Sequence, residues 1–115
     1  MLNSTSIKNE AIKQTNLENF GNPLFLEGFE NLVQSINHEA DLNDIGLDAQ
    51  KYRLTGVLAN LLMIEEACSK HPEILNEEIN SPVVIVGLPR TGSTMTHRLL
   101  ASDPKHTAML WWEGR

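Results

Sequence analysis

Arg90 sits inside a short loop, Leu88-Pro89-Arg90-Thr91-Gly92-Ser93, that joins an apolar run to a helical segment beginning near Thr94. These residue types at this spacing suit anion binding. A guanidinium presents a planar fork that matches phosphate or sulfate oxygens two at a time. Gly92 lets the backbone approach an anion closely, and Thr91, Ser93 and Thr94 add hydroxyl donors. The helix opening adds unpaired N–H groups and the positive end of a dipole, both aimed at one spot.

The elements that must position this loop follow from its flanks. Val83-Val84-Ile85-Val86, with Gly87 as the exit, predicts a buried parallel strand, because a continuous apolar run suits a strand covered on both faces. Pro82 precedes it. After the loop, a helix is expected from about Thr94 to Ser102, ending before Asp103-Pro104. Strand, Gly-bearing loop and helix together form an anion cradle.

Gly87-x-x-x-x-Gly92-Ser93-Thr94 compares with the triphosphate loop G-x-x-x-x-G-K-[ST]. Both glycines are correctly spaced, but Ser93 stands where that loop has the lysine that reaches the outer phosphates. The cation here lies two residues before the second glycine, at Arg90. This counts against an ATPase, a GTPase or a nucleotide kinase, which is the rival enzyme reading. A second rival is a non-catalytic, truncated product.

Upstream, residues 1–20 read as a flexible polar arm or a weak helix. Asn22-Pro23 is a good helix start, and Phe25, Phe29, Leu32, Val33 and Ile36 recur at helical spacing to about Glu39. Residues 41–47 read as a loop. Asp48 can cap a longer helix to about Lys70 with an apolar stripe of Leu54, Val57, Leu58, Leu61, Leu62 and Ile64. His71-Pro72 ends it, and residues 73–82 form a polar connector. The domain reading is therefore an arm at 1–20, a helical region at 21–80 and the start of an α/β domain at 81–115. One strand cannot make a sheet, so the chain reads as an N-terminal fragment.

The chain has 115 residues and a net charge of −6 from 15 Asp and Glu against 9 Lys and Arg. An acidic chain is a poor partner for nucleic acid, which selects clustered Lys and Arg. Any polyanion must be held by local geometry. A single cysteine, Cys68, excludes an internal disulfide and suits a reducing cytoplasm. It reads as a small apolar contact. No secretory signal is visible, and no apolar run reaches the roughly 20 residues of a membrane helix, so a soluble cytoplasmic protein is expected.

The stretch Val83 to Leu100 resembles the 5′-phosphosulfate-binding loop of sulfotransferases that use 3′-phosphoadenosine-5′-phosphosulfate (PAPS). Gly87-Leu88-Pro89-Arg90-Thr91-Gly92-Ser93-Thr94, followed by His97, Leu99-Leu100 and Asp103-Pro104, looks most like the bacterial branch with Arg in the loop. The cytosolic enzymes carry Lys-Ser-Gly-Thr-Thr-Trp there. Arg90 then matches the lysine, Thr91 the serine, Gly92 the glycine, Ser93 and Thr94 the threonines, and Met95 the tryptophan. His71-Pro72-Glu73-Ile74-Leu75, the upstream helix pair and Leu110-Trp111-Trp112-Glu113 also look similar, so the resemblance spans about residues 20–115.

The resemblance implies a P-loop-like parallel sheet in a three-layer α/β/α fold, of which this chain would hold the helical layer and the first strand, loop and helix. It implies transfer of a sulfuryl group from PAPS to a hydroxyl or amine of a small-molecule or glycan acceptor, without a metal. It implies Arg90 as catalytic residue and Arg90, Thr91, Gly92, Ser93, Thr94 and Met95 as donor-binding residues. The family's 3′-phosphate ligands and usual catalytic His lie further along than residue 115, so the fragment is expected to be inactive alone.

Among the remaining residues, His97 reads as a packing or locally bonded side chain. His106 is either a solvated loop residue or one facing an acceptor. His38 and His71 sit at helix ends, where the dipole explains them. Trp111 and Trp112 would face opposite sides of a strand, one for core packing and the other for a pocket or partner, and Glu113 is near the active site by family position.

Overall fold

The computed structural model describes residues 1–110, and the chain divides into two compact units, Met1–Glu77 and the part from Glu78 onward. Among the described residues four α-helices run in order: α1 (Ser4–Thr15), α2 (Phe25–Glu39), α3 (Asp44–Lys70) and α4 (Ser93–Ala101). A 3₁₀ turn, Pro72–Asn76, follows α3.

The first unit is helical. The segment expected as a flexible polar arm or a weak helix forms α1, so of the two readings of residues 1–20 the arm is corrected and the helix stands. Asn3 caps it, its side chain accepting from the Ser6 amide at 2.8 Å. Asn16 closes it in the left-handed conformation at φ 55°, with its N–H donating to the Ile12 carbonyl at 2.7 Å. Asn tolerates that conformation better than most side chains. Ile7 and Ala11, four apart and so on one face, are fully buried. Helix α1 packs along α3 and also touches α2, so it is the shared wedge of this unit. Few apolar residues are needed for a helix whose single buried row fits between two others.

The Asn37 side chain ties the amino terminus to α2. Its carboxamide accepts from the Leu2 amide at 2.7 Å and donates to the Leu2 carbonyl at 2.9 Å. Both main-chain groups of Leu2 are thereby satisfied where its side chain enters the core.

Helix α2 starts three residues after Asn22, whose side chain accepts from the Leu24 amide at 3.0 Å in a turn that precedes the helix. Phe29 and Val33 are buried, and Phe25 and Ile36 pack against the cluster from its edge. Helix α3 begins earlier than expected. Asn43 rather than Asp48 caps it, accepting from the Gly46 amide at 2.9 Å. Residues 44–47 therefore belong to the first turn instead of a loop. Within α3, Leu54, Leu58 and Leu62 form the inward row with Ala59, while Val57 and Ile64 remain exposed.

In the second unit the expected strand is absent. Residues 82–88 form no strand, and none is present among the described residues. The physical reason is that a strand exists only as part of a hydrogen-bonded ladder, and no described segment pairs with this run. Val83, Val84 and Val86 accordingly stand exposed. The parallel three-layer sheet is likewise not formed by the described residues. The run leads into the turn at Pro89 and Arg90 and then into α4. Trp111, Trp112 and Glu113 lie outside the described residues.

Candidate functional site

The loop between Val86 and α4 is built from two left-handed residues on either side of Thr91. Arg90 has φ 65° and Gly92 has φ 90°. For Gly92 this conformation is free of strain, because it has no Cβ. Arg90 adopts it against its steric preference, at about 1–2 kcal/mol. Left-handed residues in short loops turn main-chain N–H groups toward concavities that bind anions.

Thr91 fastens the turn. Its hydroxyl donates to the Leu88 carbonyl at 2.7 Å, and a Cβ built on Gly87 would stand 2.9 Å from the same oxygen. Gly87 thus leaves room for the hydroxyl that closes the loop.

Helix α4 opens without a side-chain cap. Its first main-chain bond runs from the Thr96 amide to the Gly92 carbonyl at 3.0 Å. The amides of Ser93, Thr94 and Met95 come before that bond and donate to no acceptor among the described residues. Unpaired amides at a helix start carry the positive end of the dipole. Apart from its chain neighbours, nothing described lies within 4 Å of a Cβ built on Gly92, so the backbone there is open to approach.

Arg90, Gly92, Ser93, Thr94, Met95 and Arg98 line one open concavity of about 420 Å³. Arg90 makes no ion pair among the described residues. Of the residues expected from the sequence, Arg90, Gly92, Ser93, Thr94 and Met95 are therefore brought together. Thr91 is not on the lining, since its hydroxyl serves the turn. Arg98 joins the site without having been singled out. The signal was its position four residues after Thr94, on the same helical face.

The other candidates fall elsewhere. His97 is exposed and makes no side-chain bond among the described residues. The His106 ring stands 3.8 Å from the Asp103 carboxylate, and its amide donates to the Asp103 carbonyl at 2.9 Å. His71 faces Glu73 at 3.0 Å. Cys68 is half-buried on α3. No helix among the described residues is long and apolar enough to cross a membrane.

Residues 82–113 match the sequence model of the sulfotransferase family. These residues are similar to a segment of that family. The crystal structure of sulfotransferase STF1 from Mycobacterium tuberculosis superposes on the chain with a TM-score of 0.86 at 30% identity. The match covers 96% of this chain and 31% of that one, so the chain spans about a third of the sulfotransferase it resembles. No curated protein sequence matches it. The resemblance expected from the loop residues is thus borne out, and the loop over the α4 opening is the part of the chain that carries the family's sequence signature.

Proposed function

We propose that residues 87–98 are the donor-anion cradle of a sulfotransferase that takes its sulfuryl group from PAPS. The observation that carries this reading is the open row of Ser93, Thr94 and Met95 amides beside the unpaired Arg90 in one concavity. PAPS, when bound, would supply the sulfuryl group and leave as the 3′,5′-bisphosphate.

What the chain contributes is charge at the right place. As the S–O bond to the leaving phosphate breaks, negative charge grows on the bridging oxygen and on the 5′-phosphate oxygens. Donors already fixed toward that spot lower the barrier without reorganising, and losing one typically costs about 10²–10³ in rate. Arg90 is the principal donor, the amides of Ser93, Thr94 and Met95 complete the fan, and the hydroxyls of Ser93 and Thr94 supplement it. Gly92 keeps the backbone open to the anion. Thr91 holds the loop closed through its bond to Leu88, and Met95 adds apolar surface to the lining. The cationic side chain and the helix opening provide the charge that Mg²⁺ gives in phosphoryl transfer.

The acceptor would be a hydroxyl or amine of a small molecule or glycan. The test is calorimetric titration of the chain with 3′,5′-ADP and, separately, with ATP and Mg²⁺. The reading expects the bisphosphate to bind and ATP with Mg²⁺ to bind weakly or not at all. Preference for ATP with Mg²⁺ would overturn it in favour of a nucleotide kinase or NTPase.

A further inference from the structure

We infer that the outward face of α3 is a self-association surface. A second copy of this chain packs its own α3 across it, antiparallel, with the two helices crossing at Gly56.

Helix α3 is apolar on two faces. Leu54, Leu58 and Leu62 turn one of them into the core of the first unit. On the opposite side Ile45, Ala49, Tyr52, Gly56, Met63 and Ala67 recur at separations of three, four and seven, which stacks them in one row along the helix. All six are exposed. Ile45 and Tyr52 are 80% and 81% exposed, and Val57 and Ile64 widen the row at 58% each. A solvated helix face normally carries charged and polar residues instead. The large apolar side chains of this face expose on the order of 600 Å² per copy, at the upper end for a patch on a typical monomer and close to the roughly 800 Å² that each partner gives a stable interface.

The face is complementary to itself. Across a two-fold axis at Gly56, positions equally far from Gly56 on either side meet. Ile45 then faces Ala67 of the second copy, Ala49 faces Met63, and Tyr52 faces Asn60. Each large side chain meets a smaller one. At the crossing, Gly56 has no side chain and nothing within 4 Å of a built Cβ, so the two backbones can approach closely. A parallel pair would set Tyr52 on Tyr52 and Met63 on Met63, and leave gaps between alanines. Charge favours the same orientation. Antiparallel helices oppose their dipoles and bring Lys70, in the last turn of one α3, near Asp44 in the first turn of the other. A parallel pair would instead set Arg53 beside Arg53 and Lys70 beside Lys70, like charges that repel.

Sedimentation equilibrium of the 115-residue chain tests this. The expected result is a dimer at micromolar concentration, with Gly56→Leu and Met63→Glu each weakening dimerisation at least about tenfold. Leucine strengthens an exposed helix, so Gly56→Leu keeps the fold while obstructing the crossing, and circular dichroism checks the helix content. Val84→Lys, in the exposed run before the Arg90 loop, should leave the dimer intact. In a Cys68→Ala background, Gly56→Cys should form a disulfide between copies on mild oxidation. Ile45→Cys should not, because its two thiols would stand about 33 Å apart along the helices. A monomeric wild-type chain overturns the inference. So does a dimer that persists in Gly56→Leu and Met63→Glu, or that is lost only in Val84→Lys. Cross-linking of Ile45→Cys as readily as Gly56→Cys overturns the antiparallel arrangement.

Discussion

The Thr91 hydroxyl donates to the Leu88 carbonyl at 2.7 Å, closing the loop across Pro89 and Arg90. The bond spans the left-handed Arg90 and fixes the direction in which that residue leaves the turn. Thr91→Val removes the donor while keeping the branched shape. The expected effect is a several-fold weaker uptake of 3′,5′-ADP, in keeping with the roughly 0.5–1.5 kcal/mol of a typical hydrogen bond. Thr91→Ser should recover most of it. Titration calorimetry on both variants reads the difference, and equal affinity in Thr91→Val and wild type would mean that the turn needs no fastening.

Gly92 separates conformational from steric effects. At φ 90° it occupies backbone space that L side chains rarely adopt, yet nothing lies within 4 Å of a built Cβ. Gly92→Ala should therefore act through backbone strain of about 1–2 kcal/mol and not through a clash. The outcome expected is weaker bisphosphate binding, with an unaltered stability of the first unit in urea, since Gly92 belongs to the second.

Thr55 offers a stability prediction of the opposite sign. It is 3% exposed on α3, and its hydroxyl oxygen has no hydrogen-bond partner among the described residues. Burying a hydroxyl without a partner costs about 1–3 kcal/mol. Thr55→Val keeps the shape and removes that polar atom, so it should raise the urea midpoint of the chain. A lower midpoint would show that the hydroxyl is satisfied in solution.

How much of this was legible in the sequence depends on whether the signal was local. The loop was legible because its chemistry is contiguous: Arg90 through Met95 act through their own backbone and the helix they begin. Helices α2 and most of α3 were legible from wide apolar stripes. Helix α1 was not, because Ile7 and Ala11 form a narrow row whose worth appears only between two other helices, and because Asn37 secures Leu2 across 35 positions. The start of α3 was displaced because Asn43 and Asp48 are both capable caps, and the bond from Gly46 decides for the earlier one. The run Val83–Val86 has a strand's composition, but a ladder requires a second segment and no described residue supplies it. Arg98 was missed because it enters the lining from the helix rather than from the contiguous loop residues.

The most direct test of the central claim is the affinity of 3′,5′-ADP for the chain with Arg90→Ala, measured by titration calorimetry beside the wild type and Arg90→Lys. The account predicts that Arg90→Ala lowers affinity by at least about tenfold, as expected for a charge-assisted hydrogen bond, with Arg90→Lys intermediate. Wild-type affinity in Arg90→Ala would contradict it.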